Sequence, residues 1–326
     1  MALSSVYDAS ATRTIICQSA LRKLGALAEG QTATSAAIDI AVESFNFMQR
    51  AWQAEGMPVW YLKTGYIYPL ANESNLTIGP TSTSDHFTEE LIITRLTDNA
   101  ASGATSITVD ASTNARTVIG VTANSDNIGV ELNNGNITWT TISAGGAGAS
   151  LTLAAGLGGA ANSNNRVYAY TTKAPRPVEI EYAWRVEAAT ADKIEIAQVS
   201  LSEILSQTNP TDEGETIMFN YQATLTDGAF RIWPRFKDGK QYIEVLFQNP
   251  FDDLDAASTN NPSFPDEWIE ALIYGLAVRL APDYKLPLQE RMLLKQEAEA
   301  MKERAFMSAR ENASIIFIPN MDWNSK

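Results

Sequence analysis

Residues 264–287, FPDEWIEALIYGLAVRLAPDYKLP, read as a helix that is apolar on nearly every side. A helix on a protein surface shows one apolar stripe, whereas one that is apolar all round has to be enclosed. Pro265 suits the first helical position, and Asp266 and Glu267 lie in the first turn, where the helix dipole favours negative charge. Pro282 ends the segment. The rest of the chain therefore has to supply, or recruit, cover for this helix.

Both ends of the chain carry helical periodicity. Near the N-terminus, Ile16, Ala20, Leu24 and Leu27 form an apolar face, with Ser10 as the expected cap and Gly25 or Gly30 as the stop. A second helix, capped by Thr34 or Ser35, repeats apolar residues at Ile38, Val42, Phe45, Met48 and Trp52 and ends at Gly56-Met57-Pro58. After the 265–281 helix, a fourth spans 287–310 with Leu294, Ala298, Met301 and Ala305 on one side. Its other faces alternate charge, which marks a surface turned to solvent or to a neighbour.

Between these ends the period changes to two. VWYLKTGYIYPL, NLTIGP and ELIITRLT read as strands. Residues 98–173 then hold ten of the chain's 19 glycines and only seven charged side chains, a composition that separates them from their flanks. SITVD, RTVIGV, NIGVEL, NITWTTI, SLTLAA and RVYAYTT are strand candidates there, and Asn134-Gly135 is a two-residue hairpin signal. Beyond 173, VSLSEILSQTN reads as a short helix. Two Asp-Gly turns, at Asp227-Gly228 and Asp238-Gly239, point to a β-meander that joins the earlier strands. The expected fold is α+β: N- and C-terminal helices form a helical core with an antiparallel sheet region, and a small all-β domain is inserted. The expected division is a core of 1–97 and 174–312, an insert of 98–173 and a tail of 313–326.

The 326 residues carry a formal net charge of −14, which argues against a surface that grips nucleic-acid phosphates. No run reaches the ~18 apolar residues of a membrane span, so no membrane is expected. The N-terminus lacks the pattern of a signal peptide, and the single cysteine, Cys17, lies inside a helical pattern, so a reducing cytoplasm is the expected place of synthesis.

A search for chemistry ends empty. The single histidine, His86, lies in TSTSDHFTEE near Asp85, Glu89 and Glu90 and reads as a loop residue with solvated acidic neighbours. There is no G-x-S-x-G elbow or phosphate-binding Walker sequence, and one Cys and one His are too few for a zinc site. GLGGAA, at 156–161, spells a dinucleotide fingerprint, but no helix follows to hold a pyrophosphate. NPFDDLDAAS offers Asp252, Asp253 and Asp255 without the glycine and glutamate of a calcium loop. No catalytic residue, cofactor or metal is therefore expected. Seven acids and no base lie between Lys240 and Arg279, either an ordinary solvated surface or a wall that a polyanion slides past.

The order of these elements resembles a known family. LRKLGALAEGQTATSAAIDIAVESFNFMQRAWQAEGMPVW resembles the opening of the head-to-tail adaptor proteins of short-tailed bacteriophages, the tail tubular and tail accessory proteins. FPDEWIEALIYGLAVRLAPDYKLP followed by a long charged helix resembles their closing segment, and GVELNNGNITWTTI…RVYAYTTKAPRP looks like the β insertion of larger members. The resemblance implies a structural virion protein forming a homo-oligomeric ring, a dodecamer in many members. The ring would join the capsid portal protein to the tail hub or nozzle around the DNA exit channel, without tight phosphate binding.

On that resemblance Leu24-Gly25, Trp52, Gly56, Trp60, Pro265, Trp268, Leu272, Leu276, Leu280, Ala281 and Tyr284 are packing or interface residues. Cover for the rest of the 265–281 helix is then expected from the β-core or from the next subunit. The resemblance also implies a C-terminal extension that reaches into the portal, here Ile315, Ile316, Phe317, Ile318 and Trp323, and Asp252, Asp253 and Asp255 become candidates for facing the channel. Two other readings stay open: a β-rich module that binds carbohydrate or a receptor through Trp139, Tyr168 and Tyr170, and a virion-associated glycan hydrolase, for which no carboxylate pair stands out.

Overall fold

A computed structural model describes residues 12–28, 30–56, 61–70, 73–82, 85–110, 126–145, 150–254, 262 and 264–308. In chain order, α1 (Arg13–Lys23) and α2 (Ser35–Ala54) precede β1 (Leu62–Ile67), β2 (Asn75–Ile78), β3 (Phe87–Thr88), β4 (Ile92–Arg95) and β5 (Ser106–Thr108). Next come β6 (Asn127–Glu131), β7 (Ile137–Gly145), β8 (Ser150–Leu153), β9 (Arg166–Tyr170), β10 (Ile180–Glu187), β11 (Lys193–Glu195) and β12 (Ala197–Gln198). The chain continues through α3 (Leu201–Leu205), β13 (Glu213–Gly214), β14 (Met218–Ala223), β15 (Gly228–Trp233), β16 (Arg235–Phe236) and β17 (Gln241–Gln248). It closes with α4 (Ile269–Leu280) and α5 (Leu288–Ser308). The fold is α+β. It divides into two compact units, residues 1–61 with 251–326, and residues 62–250.

The first unit is helical. Thr12 caps α1, its hydroxyl accepting from the amide of Ile15, in place of the expected Ser10, which lies outside the described residues. α1 ends four residues short of Leu27. Gly25 takes φ +68°, its amide donates to Arg22 and that of Ala26 to Leu21, which satisfies carbonyls that a helix end otherwise leaves open. Thr34 caps α2 as expected. Pro265 precedes a single 3-10 turn, Asp266–Trp268, and only then does α4 begin.

The second unit is built of sheets. One has the order β11-β10-β17-β1-β3 and is antiparallel throughout, and another has the order β12-β14-β15-β2. They share a core that includes Ile67, Ile78, Phe87, Phe219, Phe230, Ile243, Val245 and Phe247. β17 is covered on both faces, Ile243, Val245 and Phe247 turning to that core and Tyr242 to an aromatic cluster, hence its mostly apolar run, interrupted by Glu244, which pairs with Lys193. The expected three-strand meander does not form. β14 and β15 pair across the Asp227-Gly228 turn, but Pro234 follows without an amide donor, and β17 joins β1 and β10 in the other sheet. β15 pairs with β2 and β17 with β1, so the later strands do join the earlier ones.

The Gly- and Asn-rich region forms a six-stranded antiparallel sheet, β4-β9-β6-β7-β8-β5, that starts at Ile92. Its outer strands are joined by a bridge between Leu96 and Val109, with the Thr97 amide donating to Thr108 and that of Asp110 to Arg95. The sheet thus closes into a small barrel, which removes its edges. Ile107, Ile128, Val130, Ile142, Leu151 and Val167 fill it. The expected hairpin joins β6 to β7, but by a three-residue loop rather than a two-residue turn: the Gly135 amide donates to Leu132, which puts Asn133 and Asn134 at the centre, and Gly135 follows at φ +85°. The RTVIGV segment lies outside the described residues.

Candidate interaction surface

A single chain encloses α4. Trp268, Leu272, Leu276, Leu280 and Ala281 are all buried, and between Ile269 and Leu280 only Glu270 and Arg279 are exposed. α1, α2 and α5 all pack on it. α1 presents Ile16, Ala20, Leu21 and Leu24, α2 presents Phe45, Met48 and Trp52, and α5 presents Leu294 and Ala305. Each apolar stripe meets one side of the all-apolar helix. This corrects the expectation that the β-core or a neighbouring subunit covers it. Trp52 is a packing residue, its ring 6.0 Å from that of Trp268, which also meets Phe306 at 4.9 Å. Tyr284 is 37% exposed in the turn after α4, so it is no core residue. Trp60 lies outside the described residues.

The apolar surface left open lies elsewhere. α2 buries Ala41, Val42, Phe45, Met48, Gln49 and Trp52 on one side. At 100° per residue, Ile40, Glu43, Phe47 and Arg50 fall on the opposite side, with Ile40 49% and Phe47 53% exposed. α5 exposes Leu288, Met292, Leu293 and Met307 beside its charged residues. Sequence periodicity had placed Leu294, Ala298 and Ala305 correctly on the buried side. The outward leucines and methionines were masked by the charges interleaved with them.

Asp252 and Asp253 are exposed, and the Asp253 carboxylate pairs with Arg50 at 2.5 Å. Asp255 and the segment with Ile315, Ile316, Phe317, Ile318 and Trp323 lie outside the described residues. Among the described residues, no group of three or more His, Cys, Asp and Glu is placed to hold a metal ion. GLGGAA leads from β8 into the barrel bridge at Ala161 and then β9, so no helix starts there. The Cys17 thiol is buried, and burial pushes its pKa up to about 11, so it is inert.

His86 is not a solvated loop residue. It is buried, stacks on Trp139 with centroids 3.5 Å apart, and its Nδ1 lies 2.7 Å from the Tyr170 hydroxyl. Burial, helped by the Lys173 ammonium, lowers its pKa to about 3, so the ring is neutral. Asp85 is buried as well and accepts from the Thr77 amide. Glu89 pairs with Lys63 at 3.0 Å. Glu90 accepts from the Thr171 and Thr172 amides and the Thr172 hydroxyl.

Tyr168 and Tyr170 are fully buried, Tyr168 donating to the Gly239 carbonyl at 2.5 Å, so neither can touch a sugar. Trp139 borders a groove of about 530 Å³ with Asn127 and Thr140, yet one face of its ring lies on His86. Gly129 also approaches the ring closely, and an added Cβ there would sit 2.7 Å from it. With Tyr168 and Tyr170 buried and Trp139 stacked on His86, the three residues do not form a shared stacking platform, which corrects their reading as a carbohydrate site.

Compared with models of known protein families and with curated protein sequences, the chain matches none.

Proposed function

We propose that this protein is a structural component of a phage virion, a ring-forming adaptor that joins the capsid portal to the tail hub or nozzle around the DNA channel. The observation that carries this reading is the helical unit. The two ends of the chain close into one body that buries its most apolar helix and still turns two unlike apolar stripes outward, on α2 and on α5. Two unlike patches on one subunit suit head-to-tail contacts, which close into rings when the rotation allows. The element order resembling head-to-tail adaptors supports the same reading. So does the charge of −14, with exposed acids at Asp252 and Asp253, which lets DNA pass without being held. In this reading the protein is not an enzyme, acts in the virion, and has its own copies, the portal and the hub as partners.

Electron microscopy of the full chain mixed with portal rings tests it. A ring of this protein stacked on one portal face is the expected result. Portal rings that stay bare at saturating protein overturn the adaptor reading.

A further inference from the structure

We propose that the α2 stripe of one copy docks into the groove between the end of α1 and the first half of α5 on the next copy. The groove is about 460 Å³. Arg22, Lys23 and Leu24 at the end of α1 line it on one side, Glu290, Leu293, Leu294 and Glu297 of α5 on the other, with Leu286 at one end. Leu293 is 63% exposed, so the groove is an apolar seat that a single chain leaves open.

The α2 stripe matches it in shape and in charge. Ile40 and Phe47 stand seven residues apart, about 10 Å along the helix, and supply the apolar knobs. Asp39 and Glu43 share their face and are acidic, while Arg50 follows two turns later. Laid across the groove, the stripe's acids meet Arg22 and Lys23, and Arg50 exchanges its exposed partner Asp253 for Glu290 or Glu297 of the neighbour. Opposite charges placed this way fix register more than they add affinity. The stripe is on the far side of α2 from its buried face, and the groove is built by other helices. The stripe and the groove are different surfaces, and when the contact repeats head-to-tail each copy uses its stripe on one neighbour and its groove on the other. The proposal rests on the ring reading only in taking the occupant to be a second copy.

The mass of the full chain in solution tests it, with circular dichroism to check that each variant is folded. Both substituted positions are exposed, so the fold should hold. The unmodified chain is expected to associate, and Phe47→Glu and Leu293→Glu each to give single chains. An equimolar mixture of the two variants should give pairs and nothing larger, because one stripe and one groove remain intact per pair. Glu43→Arg should weaken association, and adding Arg22→Glu to the same chain should restore it.

An unmodified chain that stays single at millimolar concentration overturns the proposal, as does a mixture that stays single. If a chain ending at Ser308 dissociates while Phe47→Glu holds together, the tail is the occupant instead and the proposal fails. Association that follows this pattern without binding to portal rings leaves the contact standing and removes the adaptor reading. A portal-bound ring insensitive to both glutamate variants does the reverse.

Discussion

His86 lies flat against Trp139, the two ring planes 14° from parallel, while its Nδ1 sits 2.7 Å from the Tyr170 hydroxyl. Trp139 and Tyr170 belong to β7 and β9 of the barrel, and His86 leads into β3 of the five-stranded sheet. The histidine therefore ties the barrel to the sheet beside it, together with Tyr68 and Tyr242, whose rings meet in the same cluster.

The folded chain resists protonating this ring. Its pKa falls from 6.5 to about 3, so the unfolded chain binds the proton first and stability drops as pH falls below 6.5. By pH 3 the loss is on the order of 4 kcal/mol from this group alone. As the chain has one histidine, its imidazole NMR signals are unambiguous. They should stay at neutral shifts down to pH 4 in the folded protein. A midpoint near 6.5 would show that the ring is solvated after all. His86→Gln should flatten the stability profile between pH 6.5 and 4.

Glu90 works with the same sign and through hydrogen bonds. Burial opposes its charge, but the Thr172 hydroxyl and the amides of Thr171 and Thr172 outweigh that and hold its pKa below the usual value. A depressed carboxylate pKa gives stability that is present above the unfolded value and lost as pH falls through the folded one. Glu90→Gln should cost about 1 kcal/mol at pH 7, since the carboxylate is partly exposed and screened. The difference between the two proteins in urea titrations should vanish at acid pH. A gap that does not shrink as pH falls would mean the glutamine disturbs packing rather than charge.

α4 sets the stability of the helical unit. Leu276→Ala leaves a cavity among α1, α2 and α5 and should cost 2–5 kcal/mol, on the order seen for buried leucines. Gly275 tests the opposite failure. A Cβ there would lie 2.8 Å from the Met48 sulfur and 2.9 Å from the Trp52 ring, so α4 and α2 approach closely at this glycine. Gly275→Val should destabilise by about 1–3 kcal/mol through overpacking, although valine is no worse than glycine in a helix. Denaturant midpoints for both variants measure this. A neutral Gly275→Val would show that α2 can shift away.

The sequence was legible where one element decides its own shape. The cap at Thr34, the stop at Gly25, the presence of a hairpin at Asn134-Gly135 and the buried side of α5 follow from local chemistry, although the hairpin's turn is one residue longer than the dipeptide suggests. What it could not show were pairings between distant residues. His86 and Tyr170 are 84 positions apart, and nothing in TSTSDHFTEE announces a buried ring. The closure of the barrel depends on one bridge, Leu96 to Val109. The cover of α4 was readable in part: stripes on α1, α2 and α5 were each visible, but that three of them suffice for one helix needed their packing. The carbohydrate reading failed for the same reason, because exposure of Trp139, Tyr168 and Tyr170 is a property of the assembled sheets.

Two contacts between α2 and the segment after β17 separate hydrogen bonds that matter from charges that do not. Asn46 acts on Leu254 like a strand neighbour: its amide nitrogen donates to the Leu254 carbonyl at 2.9 Å, and its oxygen accepts from the Leu254 amide at 3.0 Å. Leu254 is buried in the helical core, so both of its backbone groups depend on this side chain. Asn46→Ala strands a donor and an acceptor and should cost about 2–4 kcal/mol. One turn along, Arg50 pairs with Asp253 at 2.5 Å, yet both side chains are more than half exposed. Asp253→Ala should therefore change stability by less than about 1 kcal/mol, and less still in high salt. Urea unfolding of the two variants at low and high salt decides between them. If the aspartate variant proved the more damaging, α2 would be anchored by charge rather than by the Asn46 clasp.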